Sequence, residues 1–391
     1  MRIGIVLSNP PAYSETFFRS KIRGLIEHGI HVQLYCQNTD ESFDLCPVIK
    51  SPKTSTNPFI QGFYFIKVYL QLLLSLKGVL NYIILELKEG SSILQIFKKV
   101  YLNAHLLSAK LDWIHFGFAT QALGSETVAK AIEARMAISF RGFDIAIYPL
   151  KHPGCYTTLW KFVDKVHVIS NDLLVKAKEQ GLPEQVSVEK ITPAIDVEVF
   201  SRQEQNLRED TSKFQLLTVG RLHWKKGLVV TLEALQIVKK NEIDFMYTIV
   251  GEGNEYERIA FAAHQLGLND YVRFVGKKER PEVVELYSQT DLYLQYSIQE
   301  GFCNAVLEAQ SMELLCIVSD AEGLPENIID QETGWVVPKH NAIALANKII
   351  EVLSLSKEKK KEISNNAQQR VRKKFNIAQQ QKSFVKFYSE E

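Results

Sequence analysis

Cysteine is scarce in this chain, with five among 391 residues, at Cys36, Cys46, Cys155, Cys303 and Cys316, and no Cys-x-x-Cys pair among them. That spacing argues against a zinc ribbon or a disulfide framework and fits the reduced thiols of a cytoplasmic protein. A charge surplus is also missing. Against 46 Lys and Arg stand 45 Asp and Glu, a formal net charge of +1, which leaves no basic footprint for nucleic acid. The glycine pattern of a dinucleotide site is incomplete, since Gly251-Glu252-Gly253 has no third glycine at the required spacing. No cleavable leader is expected, because Met1-Arg2-Ile3-Gly4-Ile5-Val6-Leu7 runs directly into a strand.

What is present is the alternation of an α/β protein, at a length for which two domains are the prior. Ile3 to Leu7 reads as a buried strand, Ser8-Asn9-Pro10-Pro11 as a loop, and Ser14-Glu15-Thr16-Phe17 as the start of a helix to about Gly29. A second strand, His31 to Cys36, completes a right-handed crossover unit of a parallel sheet. Further strands are predicted at Trp113–Phe116, Ala137–Ser139, Lys165–Ile169 and Ser187–Ile191. The polar stretch Ser201 to Lys213 reads as an interdomain linker. After it the alternation restarts with strands at Phe214–Val219, Phe245–Val250, Val272–Gly276, Asp291–Tyr296 and Leu314–Val318. These boundaries give a first domain over 1–200, a second over 201–375 and a terminal helix over 376–391.

Between about 57 and 111 the alternation is lost. Phe59 to Leu87 is rich in Phe, Tyr, Leu and Ile, with Lys67, Gln71, Ser75 and Gly78 at helical spacing as a narrow polar stripe. Lys67 and Lys77 interrupt what would be a membrane span. Two readings stand: helices packed on the sheet and on each other, or a surface touching the membrane interface with lysines reaching for headgroups. The basic run Lys357–Lys374 likewise reads as a solvated helix face or a membrane contact.

The most informative stretch is Ser297 to Ala309. A strand ends, Glu300-Gly301 forms a loop, and a helix starts near Asn304, so free amides and a helix N-terminus meet at one place. Phe302 and Cys303 lie in this loop, Leu307 and Glu308 on the helix. Two carboxylates there suit a polyhydroxylated ligand, though both glutamates could equally be solvent-facing. A second motif follows an earlier strand: Gly220-Arg221-Leu222-His223-Trp224-Lys225-Lys226-Gly227, where Arg221 and Lys226 would neutralise a diphosphate or form a basic surface turn. In the first half, His115 ends a strand and is either a cleft residue or a hydrogen-bonded core residue. Arg141-Gly142-Phe143-Asp144 also follows a strand, at the ligand edge of a parallel sheet.

Taken in order, Val219-Gly220-Arg221-Leu222, Lys226-Gly227, Val250-Gly251-Glu252-Gly253, Phe274-Val275-Gly276, Glu300-Gly301-Phe302, Glu308-Ala309, Gly323-Leu324-Pro325-Glu326 and Thr333-Gly334-Trp335 form one series. It resembles the C-terminal domain of the retaining group 1 glycosyltransferases of GT-B architecture, those with a Glu-x7-Glu motif. Ser14-Glu15-Thr16-Phe17, His115-Phe116-Gly117 and Ser139-Phe140-Arg141-Gly142-Phe143-Asp144 are similar to segments of the bacterial exopolysaccharide, capsule and lipopolysaccharide enzymes in that group. The resemblance implies two Rossmann-like domains facing a cleft, with the C-terminal helix crossing back to the first.

It also implies roles. Arg221 and Lys226 would hold the donor diphosphate, and Glu300 the donor sugar, with the amides of Gly301, Phe302 and Cys303 nearby and Asn304 and Leu307 beside them. Glu308 would bind the ribose. Gly220, Gly251 and the segment Val275-Gly276-Lys277 would line the nucleotide, the last near the base. His115 would touch the sugar beside the reacting centre, and Ser14, Glu15, Arg141 and Asp144 would face the acceptor side. The expected reaction moves a sugar from a UDP- or GDP-sugar to a saccharide or polyprenyl-lipid-linked acceptor, with retention and without metal or other cofactor. No Asp-x-Asp ligand pair stands on the donor side. Other expectations on the same fold are a nucleotide-sugar hydrolase or epimerase, and a non-catalytic nucleotide-sugar-binding subunit of a polysaccharide complex. Nucleic acid is not an expected partner. The expected location is cytoplasmic, with a peripheral contact at the inner face of the plasma membrane as one reading.

Overall fold

Ile3, Gly4 and Ile5 are buried in succession, as a strand covered on both faces requires. In a computed structural model of the chain, which describes residues 1–11, 16–37, 43–201 and 213–389, they belong to an interior strand of a seven-stranded parallel sheet. Its strands are β1 (Arg2–Leu7), β2 (His31–Cys36), β3 (Val48–Lys50), β4 (Trp113–Phe116), β5 (Arg135–Phe140), β6 (Lys165–Val168) and β7 (Ser187–Lys190). The order β3-β2-β1-β4-β5-β6-β7 reverses direction between β1 and β4. The helices of this part are α1 (Thr16–Glu27), α2 (Pro58–Leu72), α3 (Leu76–Lys88), α4 (Ile93–Leu102), α5 (Ala104–Leu107), α6 (Val128–Ala131), α7 (Phe143–Ala146), α8 (Tyr148–Lys151) and α9 (Asn171–Glu179).

A second parallel sheet holds β8 (Phe214–Val219), β9 (Phe245–Val250), β10 (Val272–Phe274), β11 (Leu292–Gln295), β12 (Leu315–Ser319) and β13 (Trp335–Val337). Its order, β10-β9-β8-β11-β12-β13, repeats the plan of the first sheet and reverses between β8 and β11. Around it run α10 (Leu228–Lys240), α11 (Tyr256–Gln265), α12 (Arg280–Ser288), α13 (Asn304–Ser311), α14 (Ala342–Ser354), α15 (Lys357–Lys374) and α16 (Ile377–Ser389). In open α/β sheets, ligands bind at the carboxyl ends of the strands where the order reverses. In this second sheet that point lies between the loops after β8 and β11, the two motifs singled out above.

Contacts divide the chain into two units, Met1–Ile191 with Gln380–Glu391, and Thr192–Gln379. Residues 192–201 therefore go with the second unit, and residues 202–212 of the polar stretch lie outside the described residues. The last helix returns to the first unit: Phe384, Phe387 and Tyr388 join a core with Ile3, Ile5, Phe17 and Leu34. Lys165 Nζ donates to Phe387 O at 2.8 Å and Gln381 Nε2 to Ser20 O at 3.3 Å. Capping follows the residues expected of it, since Ser170 Oγ accepts from Leu173 N at the start of α9 and Asn341 Oδ1 from Ala344 N at the start of α14.

The stretch 57–111 is helical but not a simple pair. A 3-10 turn at Leu73–Ser75 separates α2 from α3, which breaks the polar stripe of Lys67, Gln71, Ser75 and Gly78, and α4 follows. Phe65 stacks on Tyr69, Phe97 and Tyr101, joining α2 to α4. Two strands escape sequence reading, β3 and β13. Each has only three residues and abuts a proline, Pro47 or Pro338, which reads as a loop.

Candidate functional site

The site grows from the end of β8. After Gly220 and Arg221, His223 Nδ1 accepts from Lys225 N at 3.3 Å and caps a 3-10 turn, Trp224–Lys226. Gly227 then turns the chain into α10 with φ +62°, and a Cβ there would stand 2.1 Å from Tyr296 O, so only glycine fits. This turn presents Lys226 to the loop after β11, where its Nζ forms a hydrogen-bonded ion pair with Glu300 Oε2. Ser297 Oγ donates to the same oxygen at 3.1 Å. Glu300 Oε1 makes no bond among the described residues.

The loop is braced from three sides. Ile298 N donates to Lys225 O at 2.6 Å, and Gly323 N to Glu300 O at 3.0 Å. Glu300 N donates to Glu322 Oε2 at 2.9 Å. Asn327 Nδ2 donates to Cys303 O at 2.9 Å while its Oδ1 accepts from Cys303 N at 3.2 Å. The amides of Gly301 and Phe302 have no acceptor among the described residues and lead into α13, whose N-terminus favours anionic oxygens.

Charge is distributed unevenly here. Burial opposes the Lys226 charge, but Glu300 beside it prevails and lifts the ammonium above its ordinary range. Burial lowers the neighbouring Lys225. Arg221 is exposed and pairs with no carboxylate among the described residues, so a fixed positive charge stands beside the pair. On α13, burial raises Glu308 to about 7, although Tyr287 Oη donates to its Oε2 at 3.1 Å. A carboxylic acid near neutrality with one hydrogen-bond partner is poised to take up hydroxyls.

A cavity of about 380 Å³ lies alongside, lined by Leu222, Gly251, Glu252, Gly253, Tyr256, Phe274 and Gly276. Gly251 admits the close approach of two loops, since a Cβ would stand 1.9 Å from Gly220 O. Gly276 O accepts from Gly251 N at 2.9 Å. The second unit thus brings together Gly220, Arg221, Lys226, Glu300, Gly301, Phe302, Asn304 and Glu308 around the sheet's reversal point, with Gly251 and Gly276 at the cavity. Val275 is half-buried and Lys277 exposed, and neither lines that cavity.

Several expected contacts fall elsewhere. The Cys303 amide is already spent on Asn327, and Leu307 is fully buried in the core, so neither offers the contact assigned to it. Asp144 is buried and accepts from the amides of Arg141 at 3.0 Å, Gly142 at 2.9 Å and Ala119 at 3.4 Å, so it fixes a turn rather than facing a substrate. The Arg141 guanidinium lies 3.8 Å over the Phe17 ring, held by a cation–π contact inside the first unit. Ser14 and Glu15 lie outside the described residues.

His115 needs the largest correction. It is fully buried in β4, within a chain of hydrogen bonds whose direction is set at one end by a carbonyl. His167 Nε2–H donates to Ile191 O at 2.9 Å, leaving its Nδ1 to accept from Ser139 Oγ at 2.8 Å. Ser139 Oγ then accepts from His115 Nε2–H at 2.7 Å, and His115 Nδ1 accepts from Tyr388 Oη at 2.6 Å. Both imidazoles are neutral in this arrangement, in keeping with burial, which lowers His115 far and His167 to about 3. Lys21 Nζ sits 3.2 Å from His115 Nδ1, and burial with Arg141 nearby lowers it as well. His115 is a hydrogen-bonded core residue, not a group at a reacting centre.

Sequence reasoning missed Glu322, Asn327 and Tyr287, which hold the glutamate loop and helix, and Lys21 and Tyr388, which hold His115. A signal existed for Lys21, because Phe17, Lys21 and Leu25 share one apolar stripe of α1. Among the described residues, no group of three or more His, Cys, Asp or Glu is placed to hold a metal ion.

Residues 199–370 match the family model described as "Glycosyl transferases group 1". The chain is 29% identical over 257 residues to the amylovoran biosynthesis glycosyltransferase AmsK of Erwinia amylovora, covering 63% of this chain and 62% of that protein. It is 26% identical over 271 residues to the putative colanic acid biosynthesis glycosyltransferase WcaL of Escherichia coli, covering 67% and 66%. It therefore spans just under two-thirds of each relative. Among solved structures, a glycosyltransferase from Rickettsia africae superposes with a TM-score of 0.71 at 21% identity, over 100% of this chain and 98% of that one. Anabaena Alr3699/HepE in complex with UDP gives 0.76 at 14% identity over the whole of both chains. The fold is that of the GT-B glycosyltransferases, and residues 199–370, under half of the chain, are similar to glycosyl transferases group 1.

Proposed function

We propose that this chain is a retaining, metal-independent glycosyltransferase that moves a sugar from a UDP- or GDP-sugar to a saccharide or lipid-linked acceptor. Its place is the biosynthesis of a bacterial surface polysaccharide, on the cytoplasmic side of the plasma membrane. The observation that carries this reading is the Lys226–Glu300 pair at the reversal point of the second sheet. Breaking a sugar–phosphate bond leaves negative charge on a departing diphosphate, and fixed cations aimed at that charge supply most of the acceleration. Lys226 is held charged by Glu300, and Arg221 stands beside it with no acid partner among the described residues. Glu300 Oε1 is available to a sugar hydroxyl, the amides of Gly301 and Phe302 to phosphate or sugar oxygens, and Glu308 to the ribose. The adjacent cavity takes the base against Phe274 and Gly276.

Two relatives bear the names of exopolysaccharide glycosyltransferases, and the HepE structures hold UDP, UDP with glucose, and UDP-glucose, which supports a nucleotide-sugar donor. The test is thermal stabilisation by UDP, GDP, ADP and their sugars, followed by transfer assays with the nucleotide that binds. A ligand at about 100 times its Kd stabilises by roughly 2.7 kcal/mol. One nucleotide is expected to raise Tm and to lose that effect in Arg221→Ala, while Lys226→Ala lowers turnover about 10²–10³-fold. Turnover is expected to survive EDTA, and NMR of the product to show the donor's anomeric configuration. Binding without turnover on any acceptor would make the chain a nucleotide-sugar-binding subunit instead.

A further inference from the structure

The helices inserted between β3 and β4 have an outer face unlike the rest of the molecule. Of the twenty-six exposed large apolar side chains described, fifteen fall between Phe59 and Leu102. On α2 they recur at Phe59, Phe63, Ile66 and Leu70, a single stripe at helical spacing, and Leu74 beyond it is 93% exposed. Leu80, Ile84 and Leu87 continue the face on α3, and Ile93 and Phe97 on α4. Soluble monomers rarely expose a contiguous apolar surface of this extent.

Its charge is one-sided. Residues 53–110 contain seven lysines and two glutamates. Glu86 is buried and spent on Lys99, Thr127 and Ser91, and Glu89 pairs with Lys161. Lys53, Lys67, Lys88, Lys98 and Lys110 are exposed with no carboxylate partner among the described residues. Long lysine stems can lie along apolar surface while the ammonium reaches outward to phosphate. A second copy of the same face would set these cations against each other, whereas an anionic lipid surface neutralises them.

By length and composition the 31-residue run Pro58–Lys88 is apolar enough to cross a bilayer. Its second half, however, is tied down within the first unit. Asn81 Nδ2 donates to Ala131 O at 3.2 Å, Lys77 pairs with Glu133 at 2.6 Å, and Thr127 Oγ1 donates to Glu86 Oε1 at 2.6 Å. A crossing helix would forfeit those bonds. A helix lying in the interface keeps them and buries only the outer stripe.

We infer that the outward face of α2, α3 and α4 docks into the interface of an anionic phospholipid bilayer, its apolar stripe among the acyl chains and its lysines on the phosphates. This deepens the location proposed above but rests on the surface of the first unit rather than on the donor site. The test is co-sedimentation of the full chain with vesicles of phosphatidylcholine alone or mixed with phosphatidylglycerol, at low and high salt. Expected is binding to the mixed vesicles that weakens with salt and with neutral lipid. Phe63→Glu with Leu74→Glu is expected to cut partitioning at least tenfold, and Lys67→Glu with Lys98→Glu to remove the preference for phosphatidylglycerol. Each variant's nucleotide-induced melting shift is measured alongside, which separates failure of this inference from failure of the donor site. No binding to either vesicle, or equal binding by the Phe63→Glu, Leu74→Glu variant, overturns it. So does a dimer in sedimentation equilibrium that this variant abolishes, which would assign the face to a second copy. Membrane retention through carbonate washing would assign it to a span.

Discussion

At Glu308 burial prevails over the hydrogen bond from Tyr287, so the folded state keeps a proton that the unfolded chain has already lost. The folded pKa of about 7 lies above the ordinary 4.5, so stability of the second unit falls as pH rises across that window. The slope contributed by one such group is at most about 1.4 kcal/mol per pH unit. Glu308→Gln is expected to flatten this part of the profile, measured as Tm between pH 4.5 and 8. Ribose hydroxyls donating to Glu308 would favour its ionised form, so nucleotide binding at pH 6 should release a proton, read by calorimetry in buffers of different ionisation enthalpy. Gly251→Ala makes a different prediction at this scale. Its Cβ would meet Gly220 O at 1.9 Å with φ +140°, so the change should destabilise by at least about 2 kcal/mol in urea unfolding and also distort the cavity. The two glutamates, Arg221 and Lys226 were legible as a group because each follows a strand at the end where ligands bind. Their supports were not, since Glu322 and Asn327 lie 22 and 24 residues from the backbone groups they hold, and no local period marks them.

Among elements, the strands of four or more residues stood out as apolar runs between loop signals, and the structure has a strand at each place predicted. The three-residue β10 was read within the longer run Val272 to Gly276, but β3 and β13 were not, each being three residues against a proline, Pro47 or Pro338. The clearest failure of local reading is β4, where His115 looked like a residue opening into a cleft. Its partner Tyr388 is 273 residues away, on a helix whose docking no nearby residue announces. That docking has a measurable consequence. Tyr388→Phe removes the proton given to His115 Nδ1 and leaves a buried acceptor with Lys21 alone beside it, which should destabilise the first unit by about 1–3 kcal/mol. Chemical denaturation followed by tryptophan fluorescence would read this, since Trp113 meets Tyr388 edge-on at 5.7 Å.

Over the whole molecule the two units should respond to acid in opposite senses. In the first unit burial lowers His105 to about 4 and His167 to about 3, and holds His115 well below its ordinary value. Each folded pKa lies below the ordinary 6.5, so stability is lost as pH falls below that value; only the carboxyl of Asp144, raised by burial, opposes this trend among the groups named here. The second unit gains stability over part of the same range through Glu308. Scanning calorimetry between pH 7 and 5 should therefore show the transition of the first unit moving down relative to that of the second. His167→Gln is expected to reduce the movement.

The return of α16 to the first unit also sets an order of assembly on the ribosome. Domains made in sequence generally fold from the N-terminus onward. Here the second unit is complete once residue 379 has emerged, whereas the first still lacks Phe384, Phe387 and Tyr388, which close its core. The unit translated first is therefore the one finished last. Chains truncated after residue 379 and released from the ribosome should protect the second unit from protease while the first remains open to cleavage.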